Sequence, residues 1–413
     1  MNRFEQIIHS SIKETVSDLH IVGGHPIATR KNGVIHRNDN IIWSHKEIDA
    51  FVKKILTHRQ LQILREHHSV DFAMSICDSR LRINVFDTMR GLSMAIRILP
   101  GHIPTIDNLN IHPCLHEIAK LKSGLVLICG ATGVGKTATI ASIIDEINAT
   151  RADHIITLEN PIEYRFISKK SVVQQRELGM NMPTFEQGLI DILRQDPDVI
   201  VVGELREPET MRLTLNAAEA GHLVIATLHA TNPEDAIYRL CNSFPPEAQE
   251  AIRFQLASTL TWLVIQQLNF LNRVNFRVPV LSIVRGTQPI KNLIRENKLH
   301  QMEGTIQAGK SSGMFTMDRY IEEFLNVKNS FISPADNFRP SAEASREVIY
   351  HSPIFSLSNE PSDAVTTKKM LAKADLRMQP TVSGEHDING IEHILTIEEE
   401  TSIEELMTKI EYK

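Results

Sequence analysis

Eight residues, Gly130-Ala131-Thr132-Gly133-Val134-Gly135-Lys136-Thr137, have the spacing GxxxxGK[ST]. Glycines at these places let backbone N–H groups close around phosphate oxygens, with the start of a helix facing the same charge. Lysine reaches the β- and γ-phosphates, and the following hydroxyl ligates Mg²⁺. Context strengthens the pattern. The apolar run Leu125–Cys129 can deliver the chain as a strand, and Ala138–Asn148 can carry it away as a helix. The stretch Gly130–Ala138 is therefore expected to hold a nucleoside triphosphate, with Thr137 on the metal.

Three more apolar runs, His154–Leu158, Val199–Val202 and Leu223–Thr227, also end in polar chemistry. They are followed by Glu159-Asn160-Pro161-Ile162-Glu163, by Gly203-Glu204 and by Leu228-His229. Ligands of an open parallel sheet bind beyond the carboxyl ends of its strands. Glu159, Glu163, Glu204 and His229 are thus expected around one nucleotide. One acidic residue after a strand is ordinarily a turn residue. Four such ends, one of them a phosphate loop, are harder to assign to turns. His222 starts the fourth run, seven residues before His229. At ~3.3 Å per residue the two histidines lie roughly 20 Å apart. His222 is therefore placed on the opposite rim, as a structural group or at a subunit contact.

The elements that must position these groups follow from patterning. Near-continuous apolar runs separated by helical segments argue for a parallel sheet covered on both faces. Ahead of them, residues 1–99 read as a small α+β unit. Met1–Leu19 has amphipathic helical spacing through Phe4, Ile8 and Ile12, with charges unlike those of a signal peptide. Short runs split by Gly23, Gly24, Pro26 and Gly33 read as strands and turns. Glu47–Leu64 has helical spacing, while Arg80–Phe86 and Ser93–Leu99 alternate as half-buried strands. The last two put Arg82 and Arg97 outside the apolar face, where solvated sheet charge is the plain alternative to a role. Pro100-Gly101-His102-Ile103-Pro104 reads as a linker, so residues 100–105 form a hinge and the second domain runs from 106 to 333. Beyond Pro245 the reading is helical, over Glu247–Leu268, Pro289–Leu299 and Phe315–Leu325. Residues 334–413 hold 15 acidic and 8 basic groups, a net −7 against about +1 on the rest of the chain. Their composition predicts disorder, except for a terminal helix capped by Ser402 and Glu405.

Composition removes several function classes. The net charge of −6 gives no electrostatic case for nucleic acid. Cys77, Cys114, Cys129 and Cys241 form no CxxC pair, which speaks against a zinc ribbon or a disulfide framework and fits a reducing cytosol. No apolar run approaches the ~18 residues of a membrane span, so any membrane link is expected through a partner.

Together these residues resemble the type II secretion/type IV pilus ATPase superfamily over roughly residues 15–332, on the side of its PilT-like retraction branch. The phosphate loop is similar to the family's Walker A. Ile156-Thr157-Leu158-Glu159-Asn160-Pro161-Ile162-Glu163-Tyr164 resembles its Asp box, and Asp196–Arg206 resembles its Walker B. Ala217–His229 resembles its His box, and Pro289–Glu296 a motif of the retraction branch. The resemblance implies an α/β RecA-like P-loop core, an N-terminal PAS-like α+β domain and a helical C-terminal region. It implies a cytoplasmic ATP hydrolase using ATP and Mg²⁺, assembled as a homohexamer and docked on an inner-membrane pilus platform protein or a secretion-system base. Residue by residue, Glu163 becomes the general base that orients water, Glu204 acts at the Mg²⁺–water shell, and His229 senses the γ-phosphate. Arg82 and Arg97 become the arginines that close on the phosphates, so that binding shuts the hinge and product release opens it.

This chain departs from the pattern in places. Asn160 stands where the family usually has Asp, removing one possible Mg²⁺-shell acceptor, and Glu204 replaces the usual Asp of Walker B. The acidic tail is not explained by the resemblance. The zinc-type tetracysteine cluster common in assembly motors is absent, which favours the retraction side. Pilus retraction is the leading expectation. The alternatives are an ATPase serving a type IVB secretion apparatus and, on account of Asn160, a nucleotide-gated subunit with little turnover. A nucleic-acid translocase is disfavoured by the near-neutral core and the lack of a basic, aromatic-lined groove.

Overall fold

In a computed structural model, residues 3–14, 16–31, 34–76, 79–99 and 102–333 are described. The acidic tail with its terminal helix, Cys77, and Pro100 and Gly101 of the linker lie outside the described residues.

The N-terminal region opens with α1 (Arg3–Lys13), whose Phe4, Ile7 and Ile8 are buried. Six strands follow: β1 (Asp18–Val22), β2 (Pro26–Lys31), β3 (Val34–Ile42), β4 (Ser69–Ile76), β5 (Ser79–Thr88) and β6 (Gly91–Leu99). They form one antiparallel sheet in the order β3-β2-β1-β6-β5-β4. Alternation in β5 sends Leu81, Ile83 and Val85 into the core and leaves Arg80, Arg82 and Asn84 on the other face. Helices α2 (His45–Ile55) and α3 (His58–His67) lie between β3 and β4. The single helix expected over Glu47–Leu64 is therefore two. The break has a local cause: Thr57 caps a new helix, its hydroxyl accepting from Gln60 N–H at 3.3 Å while Gln60 returns a bond to Thr57 N–H at 2.9 Å.

The second sheet has seven strands: β7 (Gly124–Cys129), β8 (His154–Glu159), β9 (Val172–Glu177), β10 (Val199–Val202), β11 (Leu223–Leu228), β12 (Leu260–Leu271) and β13 (Phe276–Arg285). Their order is β13-β12-β7-β11-β10-β8-β9. All neighbours are parallel except β12 and β13, so the expected parallel sheet gains an antiparallel edge. Every residue of β7, β10 and β11 is buried. Leu125, Leu127 and Leu158 face one core, and Val126, Ile128 and Ile155 face the other. Each such side chain contributes about 1.5–3 kcal/mol by leaving water, which is why the runs show no alternation.

Helices cover both faces: α4 (Lys136–Thr150), α5 (Phe185–Ile192), α6 (Pro208–Glu219), α7 (Pro233–Asn242), α8 (Pro246–Thr259) and α9 (Gln288–Arg295). The helix expected over Glu247–Leu268 stops at Thr259, and Leu260–Leu271 is the strand beside β7. Leu256, Leu260, Leu263 and Val264 do repeat at helical spacing, but Trp262, Val264 and Ile265 are strand formers, and a vacant edge of β7 offers a full ladder of hydrogen bonds. The C-terminal part is thus mixed rather than helical. Among the described residues no helix is long and apolar enough to cross a membrane.

Candidate functional site

The strand order brings the polar ends together. Because β7, β11, β10 and β8 are successive neighbours, the phosphate loop, His229, Glu204 and the Glu159–Glu163 segment follow one another along a single edge. The loop takes the shape its glycines allow, with positive φ at Gly130, Gly133 and Gly135. At Gly130 a Cβ would sit 2.3 Å from the backbone oxygen of Gln266, so only glycine fits there. α4 begins at Lys136 directly after the turn. Lys136 Nζ donates to the carbonyls of Gly130 at 2.7 Å and Ala131 at 2.9 Å. Burial lowers its ammonium pKa from the ordinary value, against the opposing pull of Glu204, Cys129 and Glu163. A lysine held by two loop carbonyls beside two carboxylates is poised to exchange those partners for phosphate oxygens.

Glu204 is the centre of the charged network. Its carboxylate takes Arg206 at 2.7 Å on one oxygen and His229 Nε2 at 2.9 Å on the other. Burial works to raise this carboxyl, but Arg206, His229 and Lys136 outweigh it and hold it below the usual range. Glu204 is therefore ionised wherever the protein is folded near neutrality. Glu159 goes the other way. Burial pushes its carboxyl up, and the charge of Glu163 adds to that, although Thr157 donates to it at 2.6 Å and Gln175 at 3.0 Å. Glu163 itself is a quarter exposed and meets Arg82 Nη1 at 3.7 Å.

The sequence-derived residues thus divide. The loop Gly130–Ala138, Glu159, Glu163, Glu204, His229 and Arg82 are brought into one neighbourhood. Arg97 sits directly across the ladder from Arg82, but its guanidinium binds Asp18 at 2.8 Å within its own sheet, and the structure does not bring it to Glu163. His222 lies immediately before β11, with Nδ1 2.7 Å from the Pro197 carbonyl, at the far end of the sheet from His229.

Four participants escaped the sequence reading. Gln266 of β12 is 1% exposed, accepts from the Thr139 hydroxyl at 2.8 Å and donates to the Val134 carbonyl at 2.7 Å, tying the loop to α4. An amide inside an apolar run was the signal. Arg206 neutralises Glu204, and Gln175 holds Glu159. Arg80 reaches from β5 to the carbonyl of Ile162 at 3.1 Å. It shares a strand face with Arg82, two residues away, which was legible in the alternation.

For Mg²⁺ the donors present are the Thr137 hydroxyl and the ionised Glu204, both hard oxygen ligands. Among the described residues no group of three His, Cys, Asp or Glu could hold a metal alone. That donor set fits an ion that arrives with phosphates and keeps most of its waters. The three described cysteines are free thiols, and burial raises Cys114 and Cys129 to about 12 and Cys241 to about 11, so none is a nucleophile here.

Comparison with known proteins gives consistent results. Residues 2–330 match the family described as Type II/IV secretion system protein. The chain is 40% identical over 316 residues to the uncharacterized protein YggR of Escherichia coli, spanning 76% of this chain and 96% of that protein. It is 37% identical over 315 residues to the type IV pilus retractation ATPase PilT of Pseudomonas aeruginosa, spanning 76% and 91%. A crystal structure of the pilus retraction motor PilT with bound ADP matches with a TM-score of 0.73 at 35% identity, over 83% of this chain and 98% of that one. The Legionella pneumophila ATPase DotB shares the fold, with a TM-score of 0.63 at 24% identity over 79% and 98%. The fold is accordingly a RecA-like mixed sheet flanked by helices, preceded by an α+β subdomain.

Proposed function

This chain belongs to the Type II/IV secretion system protein family, as a P-loop ATPase of secretion or pilus machinery, and from that premise we propose that it drives type IV pilus retraction. One observation carries the proposal: Arg82, on the N-terminal sheet, meets Glu163 beside the phosphate loop. Phosphate chemistry is thereby linked to the placement of a second sheet. The resemblance to proteins described as a retractation ATPase and a retraction motor supports retraction as the kind of work.

The geometry supports a task for each side chain. Lys136 leaves the carbonyls of Gly130 and Ala131 for the β- and γ-phosphates of ATP, and the loop N–H groups take the remaining oxygens. Thr137 and Glu204 would hold Mg²⁺, which supplies neutralisation of phosphate charge. Arg82 moves from Glu163 to the same charge, which releases Glu163 to orient the attacking water. His229, fixed by Glu204, lies on the adjacent strand end and registers whether the terminal phosphate is present. Arg97, bound to Asp18, is freed to join Arg82 on the phosphates once nucleotide is bound. Residues 100–105 act as the hinge between a domain of residues 1–99 and one of residues 106–333. Six copies form a ring at the cytoplasmic side of an inner-membrane platform protein, and hinges closing in turn do the work.

Deletion of the gene, scored for surface filaments, tests the direction of that work. Surplus pili are expected. Loss of pili would assign assembly instead, and normal pili with lost protein export would assign secretion. Steady-state ATP hydrolysis by the purified full chain, abolished in Lys136→Ala and Glu204→Ala, is the companion result. An assembled ring without turnover would overturn the motor reading.

A further inference from the structure

The contact between the two sheets contains a second arginine with no part in the scheme above. Arg80 Nε donates to the Ile162 carbonyl at 3.1 Å. That carbonyl belongs to the peptide bond from which Glu163 hangs. The guanidinium also lies 3.5 Å from Glu177 Oε2 on β9. Glu177 Oε2 in turn accepts from the Ile162 N–H at 3.1 Å. Both peptide groups of Ile162 are therefore engaged, one by a carboxylate of the nucleotide domain and one by an arginine of the N-terminal sheet.

The network is built to hold position. Arg80 and Glu177 keep only 15% and 10% of their side-chain surfaces exposed, whereas Arg82 keeps 39%. A charged group that dry is costly unless paired and hydrogen-bonded, and here both conditions are met. Glu177 N–H is itself tied to Asn181 Oδ1 at 3.0 Å, so its carboxylate stands on a fixed turn. Gln60 of α3 makes a second contact across the same boundary, 3.8 Å from the Met180 sulfur in that turn. Arg82, by contrast, meets Glu163 loosely at 3.7 Å, as a group that must let go would.

We propose that Arg80 is a positioning residue: it sets the Ile162–Glu163 peptide, and so the water-orienting carboxylate, only while the N-terminal sheet is closed. Arg82 answers to phosphate charge; Arg80 answers to domain position and reports it to Glu163. Hydrolysis is then withheld in an open subunit even with ATP bound, because the Ile162–Glu163 peptide has lost its anchor on the N-terminal sheet. The inference rests on the reading of Glu163 as the group that orients water.

The test uses the full chain with ATP and Mg²⁺, and measures turnover and affinity separately. Arg80→Met should lower kcat by roughly 10- to 100-fold, the scale expected when a catalytic group is misplaced by about 1 Å. Affinity for a non-hydrolysable ATP analogue should stay within about threefold. Because Arg80→Met strands the buried Glu177 carboxylate, the double variant Arg80→Met/Glu177→Gln keeps the Ile162 N–H satisfied without an unpaired charge, and it should show the same split. Arg80→Lys, which restores charge but not the Nε donor, should recover little of the kcat. A folded double variant with kcat within twofold of the parent overturns the proposal, as does a parallel loss of affinity and kcat. Glu163→Gln separates the two levels of argument. If it hydrolyses ATP normally, the assignment of Glu163 fails; if it is dead while the Arg80 variants are active, only the positioning role fails.

Discussion

Replacing Gln266 with leucine removes the link between the phosphate loop and the strand behind it, at nearly constant volume. Two hydrogen bonds are lost, from the Thr139 hydroxyl at 2.8 Å and to the Val134 carbonyl at 2.7 Å. A hydrogen bond contributes about 0.5–1.5 kcal/mol net, and a buried group left without a partner costs about 1–3 kcal/mol. Thr139 is fully buried, but its hydroxyl can turn to the Gly135 carbonyl one helical turn back. Val134 is half-exposed, so water can reach its carbonyl in part. The sum is about 2 kcal/mol, with most of it falling on the loop rather than on the core. If all of it is felt in nucleotide binding, affinity drops roughly 30-fold. Titration of Gln266→Leu with a fluorescent ATP analogue at fixed Mg²⁺ measures this, alongside thermal unfolding of the same preparation. Affinity within twofold of the parent would refute the argument. A lowered melting temperature with unchanged affinity would show that Gln266 serves the core and not the loop.

Two further expectations concern the site's charges. Arg82→Ala should reduce ATP turnover more than ATP affinity, because Arg82 meets Glu163 while the proposed phosphate ligands are Lys136 and the loop; equal losses in the two measurements would refute its closing role. Arg97→Ala should show the same split to a smaller extent, its guanidinium being committed to Asp18 at 2.8 Å, and an effect matching that of Arg82→Ala would place it on the phosphates from the start. For Glu159, burial raises the carboxyl pKa above its unfolded value, so the folded chain binds the proton more readily. Stability from this group is present at low pH and is lost as pH rises through the raised pKa. Glu159→Gln, which keeps an acceptor for Thr157, should therefore gain stability relative to the parent as pH rises above the ordinary carboxylate range. Urea denaturation at several pH values checks this, and a pH-independent difference would contradict it.

Periodicity and motif spacing determined a good deal unaided. Spacing marks Gly130–Thr137 as the expected phosphate loop, because that chemistry needs glycines and a lysine at set intervals along one short turn. Continuous apolar runs mark β7, β8, β10 and β11 to within a residue or two, because a strand buried on both faces cannot alternate. Alternation likewise puts Arg80, Arg82 and Asn84 on one face of β5. These are local facts, and local sequence carries them.

What tertiary structure decided was pairing. Whether Leu260–Leu271 is a helix or a strand depends on the open edge of β7, which no window around residue 260 contains. Arg82 and Arg97 look equivalent in sequence, yet Asp18, 79 residues before Arg97, takes one of them, and Glu163 meets the other. Glu159 and Glu204 are both strand-end carboxylates. One is driven toward its protonated form by burial and the other held ionised by Arg206, His229 and Lys136, and only the folded chain assigns those neighbours. Gln266 is a single amide in an apolar run until β12 lies behind the loop, where it becomes the group that the loop leans on. Residue type sets what chemistry is possible at each position; burial and partner, which the sheet order supplies, decide which of it is used.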